Sequence, residues 1–267
     1  MTGLEAAVGE MLPPRSCDDS ASRPSRSSGV LLTFQHPVRY AVAWALQQQC
    51  HAERRSGSRA DTLLLLEHLP VYTAGRGTRP AHLKPQGASL HNAAVPVEVV
   101  NRGGSVTYHG PGQLVAYPVL ALARYAPGAK AYVHMLEDVL IRTLLHWDVR
   151  GYRLPKTPGL WVRDGRGEAK IASIGARIDR GITMHGFALN VMNDLRPFSR
   201  IVPCGLDGCR MTSLAEITAA PMSVSAVAEH LAEEFSAVFR VEWTMRVVDG
   251  LEMTAENLQS AAGTAGR

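Results

Sequence analysis

Residues 159–191, GLWVRDGRGEAKIASIGARIDRGITMHGFALNV, decide the fold. Two turn signals, Asp-Gly-Arg-Gly at 164–167 and Asp-Arg-Gly at 179–181, separate three β-type segments. Glycine supplies the positive φ that tight reversals need, so the spacing predicts an antiparallel meander of three strands. In its middle segment Lys170 alternates with apolar neighbours, and the period-two rule puts its side chain on one face with Ala172 and Ile174.

Outward from the meander the chain alternates strand and helix signals. VLLTF (30–34), TLLLLE (62–67), VPVEVV (95–100) and QLVAYPVL (113–120) read as strands, and VEWTMRVV (241–248) as an edge strand. Pro37 is placed to start a helix that runs to Cys50, with Ala41, Val42, Ala45 and Leu46 at helical spacing. In KAYVHMLEDVLIRTLLHW (130–147), Val133, Leu136, Val139, Leu140 and Leu144 share a face, and SVSAVAEHLAEEFSAVF (223–239) repeats the period. VYTAGRGTRP (71–80) reads as a loop of glycines and arginines. The expected class is α/β (α+β), a mixed β-sheet flanked by helices. Residues 30–250 are expected to form one domain, preceded by a disordered extension over 1–29 and followed by a flexible tail over 251–267.

Composition narrows the function. With 267 residues, 46% hydrophobic and 19% charged, the chain can bury a sizeable core. Its net charge of +4 is scattered, without the basic stripe and interleaved aromatics of a nucleic-acid groove. The longest apolar runs fall short of the ~18 residues of a membrane helix. The N-terminal segment carries Glu5, Glu10, Asp18 and Asp19 and lacks an apolar core, unlike a secretory signal. Four irregularly placed cysteines do not make a disulfide framework, so a reducing cytoplasm is expected. Cys204 and Cys209 stand beyond the usual zinc spacing and lack a second pair, and His185 and His230 lack partners, so no metal is expected.

The glycine-rich run RGGSVTYHGPGQLVAYP (102–118) lacks the Gly-Lys-Ser/Thr of a P-loop, and after Gly110 and Gly112 no third glycine opens a helix. It is not built for a nucleotide. Cys204, in the aperiodic IVPCGLDG, is a candidate nucleophile, although a cysteine is as readily a small buried hydrophobe.

Four motifs, RGGSVTYHGPGQLVAYP, GEAKIASIGARI, HGFALNV and IVPCG, occur in that order and resemble those of the lipoyl(octanoyl) transferases, the lipoate-biosynthesis protein B family. EHLPVYTAGRGTRPAHL (67–83) is similar to the family's N-terminal signature. The resemblance spans about residues 30–248 and implies the biotin/lipoate ligase catalytic fold. It also implies transfer of an octanoyl group from octanoyl-acyl carrier protein to a lysine ε-amine on lipoyl domains. The acceptors would be the lipoyl domains of 2-oxoacid dehydrogenase complexes and the glycine cleavage H protein, with no cofactor. The family's cysteine falls on Cys204, as acyl-thioester nucleophile, and its lysine on Lys170, as general acid and base. The acyl-binding surface falls on Arg102, Gly103, Gly104, Ser105, Val106, Thr107, Tyr108 and His109, on Ser173, Ile174 and Gly175, and on Gly186, Phe187 and Ala188.

This assignment is chemically coherent. A thiol is mostly protonated at neutral pH and needs a nearby cation or base to react. Gly103 and Gly104 let backbone approach an alkyl chain or turn N–H groups toward a thioester carbonyl. For His109, and equally for His185, an orienting role and a satisfied structural role both fit. Two other functions share the fold or the partners: an ATP-dependent lipoate or biotin-type ligase, and a non-catalytic carrier-protein binding module.

Overall fold

A computed structural model describes residues 26–83 and 95–249, so nearly all of the expected N-terminal extension and the whole of the expected tail lie outside the described residues. Eleven strands and four α-helices follow one another in this part of the chain. The strands are β1 (Ser27–Phe34), β2 (Asp61–Leu66), β3 (Val71–Ala74), β4 (Val97–Val99), β5 (Val106–His109), β6 (Gln113–Val119), β7 (Tyr152–Leu154), β8 (Thr157–Asp164), β9 (Gly167–Asp179), β10 (Ile182–Asn190) and β11 (Val241–Val248). The helices are α1 (Tyr40–Ser56), α2 (Ala129–Leu145), α3 (Leu214–Thr218) and α4 (Val224–Phe239).

Eight strands form one mixed sheet in the order β11-β1-β2-β6-β10-β9-β8-β7, and a small sheet has the order β4-β3-β5. β11, β1 and β2 run parallel, while β8, β9 and β10 make the antiparallel meander. The β2 run of four leucines does not alternate with polar residues because both faces of the sheet are covered. Leu63 and Leu65 pack with Leu136, Leu140, Leu231 and Phe235 of α2 and α4, and Leu64 and Leu66 pack with Leu46 and Cys50 of α1. α1 stops where Gly57 turns left-handed at φ +81°, with Arg54 and Arg55 in its last turn against the negative helix end.

Three local expectations are corrected. α1 starts at Tyr40 rather than Pro37, because Val38 is held in a bridge with His68 and its N–H donates to Glu67 O. VYTA within the expected loop is β3, paired with β4 and β5 along its edges, and its four residues are all buried and so show no alternation. VTYH, inside the glycine-rich run, is β5.

A fourth correction concerns the meander itself, because a bulge alters the faces of β9. Gly159 pairs with Ser173 and Leu160 with Ala172, whereas Trp161 pairs with Lys170. Ile171 is the extra residue. Lys170 therefore does not share a face with Ala172, which lies in the core under α2; Lys170 and Ser173 both reach the cavity described below.

Candidate active site

Cys204 sits in a short 3₁₀ turn, Pro203–Gly205, with φ +58°, followed by Gly205 at φ +72°. A left-handed side-chain-bearing residue is uncommon and persists where surrounding structure fixes it. Here Val202 N donates to His82 O at 2.8 Å, and a Cβ on Gly205 would lie 3.0 Å from the His82 ring. His82 in turn meets Ser105 Oγ at 2.6 Å. The partly exposed Cys204 Sγ lies 3.5 Å from Ser173 Oγ.

Lys170 is 1% exposed, and its Nζ donates to Pro158 O at 2.8 Å. Its backbone is held on the other side by the 210–212 segment, with Lys170 N donating to Arg210 O and Thr212 N to Lys170 O. Both residues line a cavity of about 260 Å³. Its wall includes Arg102, Gly103, Gly104, Ser105, Thr107, His109, Ser173, Ile174, Gly175, Gly186, Phe187 and Ala188.

Of the expected acyl-binding residues, Val106 and Tyr108 are not brought to this wall. Strand alternation turns them the other way, into a satellite cluster with Tyr72, Phe198 and Ile201. The wall also contains residues that sequence reading missed, among them Tyr40, Val115, Tyr117, Thr157, Pro158 and Leu206. Pro158 lies in the Thr-Pro-Gly that opens β8, a tripeptide with turn-type composition. Tyr40 and Tyr117 sit in apolar-patterned elements and carried no such signal.

The Arg102–Gly104 loop nests against glycines of other segments. A Cβ on Gly175 would stand 3.1 Å from Gly103 O and from Arg102 Cδ, and one on Gly77 would stand 3.2 Å from Gly104 O. The Gly103 N–H is not available to a thioester carbonyl, since it donates to Ala176 O at 3.2 Å. Arg102 is buried, its guanidinium donating to Thr73 O at 2.7 Å, to Thr73 Oγ1 at 2.9 Å and to Gly103 O at 3.0 Å. It is a fixed cation whose charge interacts with that of an ionised Cys204.

Three histidines near the cavity are neutral. His68 Nδ1 donates to Val38 O at 2.9 Å, which leaves Nε2 to accept from Tyr117 Oη at 2.7 Å, and burial pushes its pKa down to about 4. The Gln113 amide nitrogen donates to Tyr108 O and Asn190 Oδ1, so its oxygen accepts from His109 Nδ1 at 2.7 Å. Burial, reinforced by His68, holds His109 well below the usual imidazole range.

His185 stacks on Trp44 with ring centroids 4.8 Å apart and meets Asn101 Oδ1 through Nε2 at 2.9 Å. Burial, with the charges of Arg102 and Arg177, lowers its pKa to about 3. The β6–β10 ladder explains its placement. Pairing stops at Ala116–Phe187, short of Pro118, which has no N–H to donate. The Thr183 hydroxyl bridges Pro118 O and Leu120 N, and His185 next to the gap takes φ +53°.

Among the described residues, three cysteines are free, and their surroundings differ. Burial raises Cys50 to about 11, and burial with the charge of Cys204 raises Cys209 to about 11. Both stay protonated near neutrality. No group of three His, Cys, Asp or Glu among the described residues is arranged to hold a metal. No helix among them is long and apolar enough to cross a membrane.

Residues 39–236 match the model of the lipoyl protein ligase A/B catalytic domain. The chain belongs to that family. It is 44% identical over 201 residues to an octanoyltransferase of Syntrophotalea carbinolica, covering 75% of this chain and 90% of the relative. It is likewise 44% identical over 207 residues to an octanoyltransferase of Chloroflexus aurantiacus, covering 77% and 92%. With these relatives the chain is an acyltransferase.

Solved structures of the lipoyl ligase family share its fold. A bipartite lipoate protein ligase from Thermoplasma acidophilum aligns with a TM-score of 0.67 at 16% identity over 88% of this chain and 91% of its own. A lipoate-protein ligase A bound with ATP aligns at 0.61 and 18%, over 88% and 93%.

Proposed function

We propose that this member of the lipoyl protein ligase A/B family moves an octanoyl group from octanoyl-acyl carrier protein to the ε-amine of a lysine on lipoyl domains. The acceptors are those of 2-oxoacid dehydrogenase complexes and the glycine cleavage H protein, in cytoplasmic lipoate biosynthesis. Residues 30–250 act as one catalytic domain. The observation that carries this reading is a partly exposed cysteine, fixed in a left-handed turn, on the same cavity wall as a buried lysine amine.

The reaction has two steps. In loading, the Cys204 thiolate attacks the thioester carbonyl, a new C–S bond forms as the carrier's C–S bond breaks, and the carrier leaves as a thiolate that takes a proton from solvent. Ser173 Oγ, 3.5 Å from Sγ, is placed to donate to the thiolate. In discharge, the acceptor amine attacks the acyl-enzyme, an amide forms, and Cys204 leaves as thiolate. Lys170 takes the proton from the amine as it attacks. His68 has both ring nitrogens engaged, with Val38 O and Tyr117 Oη, and takes no part in this proton transfer.

A thioester is already activated toward amide formation, so no nucleotide is needed. Octanoyl-acyl carrier protein, apo lipoyl domain and enzyme, incubated without ATP, will yield octanoylated lipoyl domain by mass spectrometry. A strict requirement for ATP would favour the ligase. Binding of both carriers without product, with or without ATP, would favour the non-catalytic module.

A further inference from the structure

A lysine amine rides on a flexible four-carbon stem and acts as a general base only where something holds it in place. In this chain the cross-strand partner of Lys170 at the β8–β9 bulge is Trp161. The Lys170 Nζ lies 5.3 Å from the centroid of the Trp161 ring, within the range where an ammonium is attracted to an indole face. On the same strand the Pro158 carbonyl accepts from Nζ at 2.8 Å. Between them Gly159, at φ +122°, leaves the room the stem occupies, because a Cβ there would stand 2.8 Å from Lys170 Cε and 3.1 Å from Nζ. Trp161 is 7% exposed and is not part of the cavity wall. Three features of β8, the carbonyl of Pro158, the missing side chain of Gly159 and the aromatic face of Trp161, thus converge on one amine.

We propose that Trp161 is a positioning residue for the acyl transfer, holding the Lys170 amine against Pro158 O where it meets the incoming acceptor amine. The proposal rests on the two-step reading above. Its specific consequence is a split between the steps. Loading has the Arg102 guanidinium, on the same cavity wall as Cys204, as a second cation. Discharge depends on the lysine position alone, and misplacing a reacting group by about 1 Å costs on the order of a hundredfold.

The test measures both steps separately in the full-length enzyme. Loading is followed with octanoyl-acyl carrier protein alone, and discharge by adding apo lipoyl domain to the preloaded enzyme, both by intact-protein mass spectrometry. Trp161→Leu will slow discharge by roughly ten- to a hundredfold, with a much smaller effect on loading and no change in the KM for the donor. Trp161→Phe, which keeps an aromatic face, will stay within about threefold of wild type in discharge. If Trp161→Leu fails to fold, Trp161→Met fills the space without a ring and replaces it in the same comparison. Discharge at the wild-type rate in the ringless variant, or loading and discharge falling by the same factor, overturns the proposal. A wild-type enzyme that never loads Cys204 would instead overturn the two-step reading itself.

Discussion

Replacing Lys170 by methionine keeps an unbranched chain of similar length and removes only the amine. The structural cost is bounded by what that amine does. Pro158 O loses its donor at 2.8 Å, but Pro158 is exposed and its carbonyl can turn to water, so the loss is that of an ordinary hydrogen bond, about 0.5–1.5 kcal/mol. The same change relieves the folded state of a buried cation, which offsets part of that loss. A net loss of at most about 1.5 kcal/mol from a typical stability of 5–15 kcal/mol leaves the enzyme folded at 25 °C. Loss of a general base, in contrast, costs about 10²–10⁴-fold in rate, or roughly 3–5 kcal/mol of barrier.

The assay is transfer from octanoyl-acyl carrier protein to apo lipoyl domain, paired with urea unfolding of the same preparation. The expected result is a folded enzyme that transfers at least about a hundredfold more slowly. Lys170→Arg keeps a positive charge yet cannot give or take a proton near neutrality, so it will load Cys204 and still fail in discharge. Transfer by the methionine variant within about threefold of wild type would refute the assignment of Lys170 as the base.

Other consequences follow from the neutral histidines and the packing. His68, with an ordinary pKa of 6.5 when unfolded and about 4 when folded, is protonated first in the unfolded state. Stability is therefore full above pH 6.5 and falls as the pH drops toward 4, by about 1.4 kcal/mol per pH unit for each such histidine. Urea unfolding at pH 7 and pH 5 will show about 2 kcal/mol less pH dependence in His68→Gln than in wild type, and an unchanged difference would contradict the buried neutral state. Gly175→Val drives a side chain into Gly103 O and Arg102 Cδ, each 3.1 Å from its Cβ, and will lower kcat/KM by up to about a hundredfold; wild-type kinetics would show that the loop has room to move. Val106→Ala will cost roughly 1–3 kcal/mol in urea unfolding without altering the KM for the donor, whereas a raised KM would put Val106 on the acyl path.

Much of this fold was legible because its strongest signals are local. The Asp-Gly and Arg-Gly turns of 159–191 do set the meander, and the apolar periods of α2 and α4 do form one side of the core. What escaped was determined by distant neighbours. β3 is a wholly buried four-residue strand whose edge partners are remote in sequence, so no alternation marks it. The orientation of Lys170 depends on a bulge that one extra residue, Ile171, creates against β8, and nothing in AKIAS announces it.

The motif residues nearly all reach one cavity because they lie on β5, β9, β10 and the turns beside them, but a continuous motif spans both faces of a strand. Val106 and Tyr108 belong to the motif and to the satellite core, while Ser105, Thr107 and His109 reach the cavity. The aromatic part of the wall, Tyr40 and Tyr117, is assembled from α1 and β6, whose sequences read simply as core.

The central claim is that the acyl group rests on Cys204 between the two carriers. Neither carrier need be present while the other is bound, because a covalent intermediate divides the transfer into two steps. The direct measurement is intact-protein mass spectrometry of the enzyme with octanoyl-acyl carrier protein alone, followed by peptide mapping and then by addition of apo lipoyl domain. One octanoyl group will appear, map to Cys204 and disappear as the lipoyl domain gains it. Cys204→Ala will show neither adduct nor transfer, while Cys209→Ser and Cys50→Ser, whose parent thiols burial keeps protonated, will show both. An adduct that maps to Cys209, or normal transfer by Cys204→Ala, would contradict the account.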